Sequence, residues 1–264
     1  MIKSIAIGSF DGMHKAHQEL ISKADGVVVI ERNSATITAG YKRSNYTKKP
    51  LFFYSFDKIK SLTPNEFIDK LKNDFPYLNK IIVGYDFAFG KNKQGNSDTL
   101  QELFDGEVEV ISEISMDDIG IHSKVIREFL TNGDIAKANQ FLGYDYEIIG
   151  VAIKGQGLGK NELVATINLV VNDSLLPKDG IYATKTEIDG SWYDSVSFLG
   201  HRISTDGKYA IETHILDREV GKIDSKVKIK FIEHIRENMK FENLAKLKEQ
   251  IILDINRARM INER

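Results

Sequence analysis

The periodicity of hydrophobic and polar residues changes near Gly143 and divides the chain into two parts. In the first part, short apolar runs alternate with segments of helical periodicity. The apolar runs predict strands at 4–7, 27–30, 81–84 and 108–111, and the helical spacing predicts helices at 17–23, 64–71 and 123–130. This alternation is typical of a parallel sheet with helices on both faces, which binds ligands at the carboxyl ends of its strands.

The second part is dominated by segments with a period of two. They predict strands at 146–153, 164–170, 181–188, 191–198, 209–216 and 226–232. Asp189 and Gly190 lie between two of these segments and indicate a hairpin turn. Six strands with short connections favour a small antiparallel barrel or sandwich, and a helical apolar stripe predicts a closing helix over 242–259. We therefore expect an α/β domain at 1–145 and a mostly β domain at 146–264.

Composition narrows the possible functions. The chain has 264 residues, with 36 Lys plus Arg, 38 Asp plus Glu and no cysteine. This length suffices for one large or two modest domains, and the missing cysteines exclude disulfides and thiolate metal sites. No apolar run approaches a membrane span of about 18 residues, so we expect a cytoplasmic protein. Neither half is basic, which favours small-molecule ligands over nucleic acid or a membrane. The sequence does not indicate an oligomeric state.

The most informative segment, 8–17, directly follows the first predicted strand. Gly8, Ser9 and Gly12 allow a tight turn, and the helix that follows presents free N–H groups and a positive dipole end to an anion. His14 and His17 are three residues apart and face the same way on that helix. The alternative is that Asp11 caps the helix and the histidines are ordinary polar residues. The coincidence of the glycines, the position and the histidine spacing favours an anion site.

This segment reads Gly-Ser-Phe-Asp-Gly-Met-His-Lys-Ala-His and resembles the HxGH motif of the adenylyl- and cytidylyltransferase superfamily in its longer form, GxFDGxHxGH. The resemblance implies a Rossmann-like nucleotidyltransferase domain in which His14 and His17 stabilise charge as pyrophosphate leaves ATP, without a covalent enzyme intermediate. Ala16 replaces a glycine of the motif and removes no donor. The same resemblance implies that ATP is bound by Gly8, Ser9, Phe10, Asp11 and Gly12.

Residues 121–127 read Ile-His-Ser-Lys-Val-Ile-Arg and are similar to the SSTxIR segment of the FMN adenylyltransferase module of bacterial bifunctional riboflavin kinase/FAD synthetases. The resemblance implies that Ser123 and Arg127 contact the ATP phosphates, with Arg127 as a fork-shaped donor. His122 and Lys124 replace a serine and a threonine, and Lys124 is expected to supply a charge to ATP.

Two further segments of the first part have alternative interpretations. Asp86, Phe87 and Phe89 follow the third predicted strand, where a flat flavin ring could stack; the aromatics could equally be core residues. The basic segment that contains Lys42, Arg43, Lys48 and Lys49 is interpreted as a solvated loop, with a flap over triphosphate as the alternative.

In the second part, 157–160 and 164–169 resemble the GRGRxLGFPTAN motif of riboflavin kinase. The resemblance implies that Thr166 and Asn168 hold Mg²⁺, for which oxygen ligands are suitable. Ala165 and Ile167 replace the proline and alanine of that motif, which leaves the activity of this half open. The resemblance also implies that the glycine-rich segment lies over ATP, with Gly157, Gly159 and Lys160 as the contacts.

Residues 212–217 read Glu-Thr-His-Ile-Leu-Asp and are similar to the ETHLLD strand of the same kinases. The resemblance implies that Glu212 is the base that takes the proton from the ribityl 5′-hydroxyl of riboflavin. Without the resemblance, Glu212 is interpreted as a polar residue on the exposed face of a half-buried strand.

The motifs extend over 8–258 in the order of the family. They imply a bifunctional, Mg²⁺-dependent transferase that converts riboflavin and ATP to FMN and then converts FMN and ATP to FAD and pyrophosphate. One alternative is a FAD synthetase with an inactive kinase-like barrel. Another is a flavin-binding protein without turnover. An aminoacyl-tRNA synthetase would share the HxGH-like signature, but the chain is short, is not basic and has no KMSKS-like segment.

Overall fold

The computed structural model describes residues 1–32, 37–153, 164–218, 223 and 225–264. Two compact units make up the chain: an N-terminal unit, Met1–Val125, and a C-terminal unit, Ile126–Arg264. This division follows packing contacts within the chain. The functional boundary between 145 and 146 stays a prediction.

The N-terminal unit contains a parallel sheet, as predicted. Within its described residues the strand order is β3-β2-β1-β4-β5. The strands are β1 (Ser4–Gly8), β2 (Gly26–Glu31), β3 (Leu51–Ser55), β4 (Lys80–Gly84) and β5 (Glu107–Ile111), and β6 (Ser115–Met116) and β7 (Ile119–Gly120) form a small hairpin. The helices are α1 (Lys15–Ser22), α2 (Phe56–Ile59), α3 (Pro64–Asp74) and α4 (Ser97–Leu103), with 3₁₀ helices at Gly40–Tyr46 and Lys91–Lys93.

The central strands of this sheet are buried on both faces. Ile5 and Ile7 on β1 and Ile81 and Val83 on β4 are at most 1% exposed, which explains their continuous apolar runs. Helix α3 starts at a capping box in which Thr63 and Glu66 bond reciprocally. Layers of helix and sheet therefore enclose the core.

Strand order reverses between β1 and β4, because the chain moves outward from β1 to β3 and then crosses back to β4 and β5. In open α/β sheets, ligands bind at this switch point, outside the carboxyl ends of the strands. The predicted motif follows β1 and the segment starting at Tyr85 follows β4. The topology therefore places both segments at the expected ligand edge.

The C-terminal unit closes into a barrel, which decides between the predicted barrel and sandwich. Its described strands follow the order β10-β11-β12-β9-β8-β13, and β13 pairs back onto β10. Asp189 and Gly190 form the predicted hairpin turn, with φ of 50° and 82°. The strands are β8 (Glu147–Ile153), β9 (Ile167–Val171), β10 (Gly180–Ile188), β11 (Ser191–His201), β12 (Tyr209–Ile215) and β13 (Lys226–Arg236).

Three helices accompany the barrel: α5 (Ser123–Asn132), which starts just before the unit border, α6 (Ile135–Leu142) and α7 (Leu244–Asn262). Helix α7 is the predicted closing helix and packs on β10, β11 and β13. A bidentate ion pair anchors it, since Arg236 donates to both oxygens of Asp254 at 2.8 and 2.6 Å. Among the described helices, none combines the length and apolar character needed to cross a membrane.

Hydroxyl groups line part of the barrel interior. Thr184 Oγ1 lies 2.8 Å from both Ser195 Oγ and Ser197 Oγ, and Ser197 donates to Thr213 at 2.9 Å. Thr186 completes the set with bonds to Ser195 and Thr213. All five residues are at most 1% exposed, and their mutual bonds offset the cost of burying hydroxyls. The network links β10, β11 and β12.

Candidate active sites

The loop between β1 and α1 holds an unusual backbone. Phe10 and Met13 have φ of 48° and 41°, which is the left-handed region, and Gly12 has φ of 89°. For non-glycine residues such a conformation costs about 1–3 kcal/mol and persists only where surrounding contacts impose it. We refer to residues 9–13 as the 9–13 loop. Phe10 and Met13 have left-handed backbones, and their side chains are fully buried.

Contacts from residues 37 and 38 fix the 9–13 loop. Asp11 Oδ1 accepts hydrogen bonds from the backbone N–H groups of Ile37 and Thr38 at 3.1 and 3.0 Å. The N–H of Gly12 donates to Thr38 Oγ1 at 2.7 Å. These bonds give Asp11 and Gly12, both predicted ATP contacts, a role in holding the loop.

His14 caps α1, and its ring stacks on His17 with centroids 3.5 Å apart. The backbone N–H of His17 donates to His14 Nδ1 at 3.3 Å. Burial, followed by the nearby charge of His122, lowers the pKa of His14 to about 3. Burial and the charges of His14, Arg43 and His122 also lower the pKa of His17. Both rings are therefore neutral at neutral pH, so they present neutral N–H donors rather than cations.

A cavity of about 470 Å³ opens at the carboxyl ends of β1 and β4. The stacked histidines line it together with residues from the start of α5. Asp11, Gly12 and Phe89 are not among its lining residues. The predicted site residues that line it are Gly8, Ser9, Phe10, His14, His17, Asp86, Phe87, Ser123 and Lys124.

Helix α5 begins at the cavity. Ser123 Oγ donates to the carbonyl of Asp11 at 2.7 Å, a contact between this hydroxyl and the 9–13 loop within the N-terminal unit. Lys124 lines the cavity with an exposed side chain. Arg127 lies one turn further along α5, four residues after Ser123. The helix start offers N–H groups and a positive dipole end.

The two predicted flavin aromatics differ in burial. Phe87 is partly buried and lines the cavity beside Asp86. Phe89 is 5% exposed and packs into the core with Phe67. The rings of Phe87 and Phe89 stack with centroids 5.5 Å apart. Phe89 therefore supports Phe87 from within the core.

Sequence reasoning missed a cluster at the cavity mouth. Glu113 Oε1 lies 3.0 Å from Tyr85 Oη and 2.9 Å from His122 Nε2. A Cβ atom on Gly120 would lie 2.4 Å from Glu113 Oε1, so a side chain at this position would displace the Glu113 carboxylate. The available signal was His122 itself, a titratable group in place of a motif serine. All three side chains line the cavity.

The solvated-loop interpretation is wrong for one member of the basic segment. Arg43 is 1% exposed and donates to Glu31 Oε2 at 2.6 Å and to the carbonyl of Phe10 at 3.1 Å. The hydrogen bonds to this carboxylate and carbonyl offset the free-energy cost of removing the guanidinium from water. Lys48 is exposed, in agreement with the interpretation.

In the C-terminal unit, Glu212 on β12 pairs in register with Asn168 on β9. Its Oε1 accepts from Arg202 Nη1 at 3.1 Å, and Arg202 Nη2 donates to Asp206 at 3.0 Å. Burial raises the pKa of Glu212, the charge of Arg202 lowers it, and Asp206 raises it further. Glu212 is 19% exposed, so it is not the freely solvated side chain of the alternative interpretation.

Of the predicted metal ligands, Asn168 pairs with Glu212 across the two strands, and Thr166 is near Asn168. Asn168 Nδ2 lies 3.5 Å from Thr166 Oγ1. His214 Nδ1 lies 2.7 Å from the carbonyl of Ala165, which attaches the segment before β9 to β12. Gly157, Gly159 and Lys160, the residues implied to cover ATP, lie outside the described residues.

Comparison with known proteins agrees with this arrangement. The FAD synthetase family model matches residues 44–125, and the riboflavin kinase family model matches residues 142–262. The bifunctional riboflavin kinase/FMN adenylyltransferase of Bacillus subtilis is 27% identical, over 96% of this chain and 90% of that protein. The protein of the same name from Haemophilus influenzae is 28% identical, over 97% of this chain and 93% of that protein.

A solved structure has the same fold over nearly the whole chain. The crystal structure named as a macrolide-efflux protein from Streptococcus pneumoniae has a TM-score of 0.85 and 25% identity, covering 97% of this chain and 94% of that one. A histidine pair at the switch point of a parallel sheet, followed by a barrel with a partly buried carboxylate, is the arrangement of a nucleotidyltransferase unit and a kinase-type barrel. The chain belongs to the bifunctional riboflavin kinase/FMN adenylyltransferase family.

Proposed function

We propose that the chain makes FAD from riboflavin in two ATP-dependent steps, one in each part of the chain. The observation that carries this proposal is that each unit holds its own cluster of candidate site residues, the stacked His14–His17 pair in the N-terminal unit and Glu212 in register with Asn168 in the C-terminal unit. We assign adenylyl transfer to 1–145 and phosphorylation to 146–264. The proposed ligands of the protein are the small molecules riboflavin, FMN, FAD and ATP. We propose that the protein is located in the cytoplasm.

In the adenylyl step, a phosphate oxygen of FMN attacks the α-phosphorus of ATP, and the bond to the β-phosphate oxygen breaks to release pyrophosphate. His14 and His17, as neutral donors, hydrogen-bond the oxygens that gain charge. Lys124 supplies positive charge from the start of α5, and the resemblance extends this role to Arg127. The reaction thus depends on position and electrostatics.

We assign the cavity wall formed by Asp86 and Phe87 to the flavin. Phe87 offers a ring face for stacking and is backed by the buried Phe89. Gly8, Ser9 and Phe10 form the wall that meets ATP, with Ser123 at the start of α5. Asp11 and Gly12 contribute by holding the loop.

In the kinase step, Glu212 accepts the proton of the ribityl 5′-hydroxyl as its oxygen attacks the γ-phosphorus of ATP and ADP leaves. Arg202 binds Oε1, so we assign the proton to Oε2. Thr166 and Asn168 provide oxygen atoms beside this carboxylate, which suits Mg²⁺, and the resemblance extends ATP contacts to Gly157, Gly159 and Lys160. When bound, Mg²⁺ supplies positive charge to the ATP phosphates.

The name of the similar solved structure assigns efflux to that protein. The arrangement of donors around the N-terminal cavity and around Glu212 suits group transfer to a flavin instead. We therefore do not extend efflux to this chain.

The test is chromatography of the flavins formed when the purified protein receives Mg·ATP with riboflavin and, separately, with FMN. We expect FMN and FAD from riboflavin, and FAD from FMN. FAD from FMN alone would mean that Ala165 and Ile167 have silenced the kinase. Absence of turnover with either flavin, together with tight flavin binding, would replace the enzyme by a flavin-binding protein.

A further inference from the structure

Arg43 is a buried cation in a segment whose three lysines are exposed, as Lys48 is, or partly exposed, as Lys42 and Lys49 are. Its side chain is 1% exposed and projects from the 3₁₀ helix Gly40–Tyr46. A buried guanidinium destabilises a fold unless its N–H groups are paired. Such a group is therefore expected to have a specific task.

The contacts of Arg43 point to that task. Nε donates to the carbonyl of Phe10 at 3.1 Å, and Nη1 donates to Glu31 Oε2 at 2.6 Å and to the carbonyl of Gly40 at 3.2 Å. One planar side chain therefore connects the 9–13 loop to the end of β2. Lysine could not reproduce this fork, because its donors radiate from a single nitrogen.

The bond to Phe10 completes a set of contacts to consecutive loop residues. Asp11 and Gly12 are held by Ile37 and Thr38, and Phe10 is held by Arg43. Phe10 has a left-handed backbone, which external contacts must maintain. Residues 37–43 thus act as one clamp on the loop.

The loop leads directly into the histidine pair. His14 is the N-cap of α1, and the ring of Phe10 meets that of His17 edge to face with centroids 5.1 Å apart. A change in the path of Phe10 would move the donors that meet the phosphates. The charge of Arg43 also contributes to the lowered pKa of His17.

We propose that Arg43 is a positioning residue for adenylyl transfer, which holds the 9–13 loop in the conformation that aligns His14 and His17 with the nucleotide. This inference rests on the proposed FAD synthesis. It differs from the interpretation of the basic segment as a flap over triphosphate, because a flap requires exposed cations and Arg43 is enclosed.

The experiment compares Arg43→Met with the matched control Lys48→Met, an exposed cation of the same segment. Full-length proteins are assayed for FAD formation from FMN with ATP varied, and for FMN formation from riboflavin in the same preparation. We expect kcat/KM for ATP in FAD formation to fall about 100-fold in Arg43→Met, since small misplacements at a reacting site have effects of this size. Lys48→Met should stay within about twofold of the wild type.

Two further variants distinguish a positioning role of Arg43 from an effect of misfolding. Thr38→Val removes the acceptor of the Gly12 N–H while keeping the shape of a 3%-exposed side chain, and we expect it also to raise KM for ATP. Arg43→Lys keeps the charge and one donor direction, so its activity should lie between those of the wild type and Arg43→Met. FMN formation should be unchanged in all four variants.

Assays are made well below the melting temperature of each variant. A purely structural role would lower kcat in proportion to the unfolded fraction and leave KM for ATP unchanged, which would overturn the inference. Wild-type kcat/KM in Arg43→Met, or a loss in Lys48→Met equal to that in Arg43→Met, would also overturn it. If the wild type itself makes no FAD, the proposed FAD synthesis fails and the inference fails with it.

Discussion

His14 accepts a hydrogen bond at Nδ1 from the backbone N–H of His17, while the two imidazole rings stack 3.5 Å apart. A nitrogen that accepts a hydrogen bond carries no proton, so neutral His14 has its proton on Nε2. Two cationic rings at this separation would repel each other. The pair is therefore suited to donate neutral hydrogen bonds to phosphate, while we assign the positive charge to Lys124 and the helix starts.

His14→Ala should lower FAD formation from FMN by about 10²- to 10³-fold, the size of effect seen on removing one donor from a charge-stabilising site. His14→Gln should retain more activity, because its amide can present an N–H near the position of Nε2. FMN formation from riboflavin, measured on the same samples, should be unchanged. An equal loss of both activities in His14→Ala would point to misfolding and contradict the assignment.

The buried histidines also predict how stability depends on pH. The ordinary histidine pKa of 6.5 applies in the unfolded chain, and burial lowers that of folded His14 to about 3. Between these values the unfolded state binds more protons, so the unfolding free energy of the N-terminal unit should decrease as pH falls. Above the unfolded pKa the contribution of His14 no longer changes with pH.

Amide hydrogen exchange in β1, measured between about pH 4 and about pH 7, reports the stability of this unit. His14→Gln removes one titrating group, so its stability should depend less steeply on pH than that of the wild type. Identical slopes for the two proteins would show that His14 takes up its proton without unfolding.

Glu212→Gln should lower FMN formation by about 10²- to 10⁴-fold, because the amide keeps the size of the side chain but cannot take a proton. FAD formation from added FMN should be unaffected. The matched control is Glu187→Gln, which removes a partly buried carboxylate that binds Lys228 on another pair of barrel strands. Retained kinase activity in Glu212→Gln would remove Glu212 as the base.

The main fold elements were predictable because burial leaves a pattern in the sequence. β1 and β4 are enclosed on both faces and read as apolar runs, and the Asp189-Gly190 turn carries its own signal. β3, an edge strand with Phe53 45% exposed, was missed although residues 51–54 form an apolar run. Helices α4 and α6 were also missed.

The candidate sites were predictable only where their residues are close in sequence. His14 and His17 share one helical turn, so their spacing indicated a common face. Arg43 and Phe10 are 33 residues apart, and no local pattern distinguishes a buried arginine from its exposed neighbours. The roles of Asp11 and Gly12 as partners of Thr38 likewise depend on contacts that form only when the chain folds.

The hydroxyl network predicts a stability effect in the barrel. Ser197→Ala leaves Thr184 and Thr213 with fewer buried partners and should lower the unfolding free energy by about 1–3 kcal/mol. Trp192, the single tryptophan, lies on β11 and reports barrel unfolding in urea by its fluorescence. The exposed Ser191 supplies the control Ser191→Ala, for which no loss is expected. Equal stability of the two variants would show that the network is energetically neutral.

His122 and Glu113 predict a coupled effect on ATP binding. The hydrogen bond from His122 and that from Tyr85 lower the pKa of Glu113, so this carboxylate is ionised and accepts from His122 Nε2. His122→Ser restores the residue type of the resembling motif but leaves the carboxylate without its imidazole partner at the cavity to which we assign the ATP phosphates. We expect a several-fold higher KM for ATP in FAD formation, because like charges repel.

The double variant His122→Ser/Glu113→Gln removes that charge and should return KM towards the wild-type value. If the double variant binds ATP no better than His122→Ser alone, the imidazole acts on the nucleotide directly and not through its hydrogen bond to Glu113.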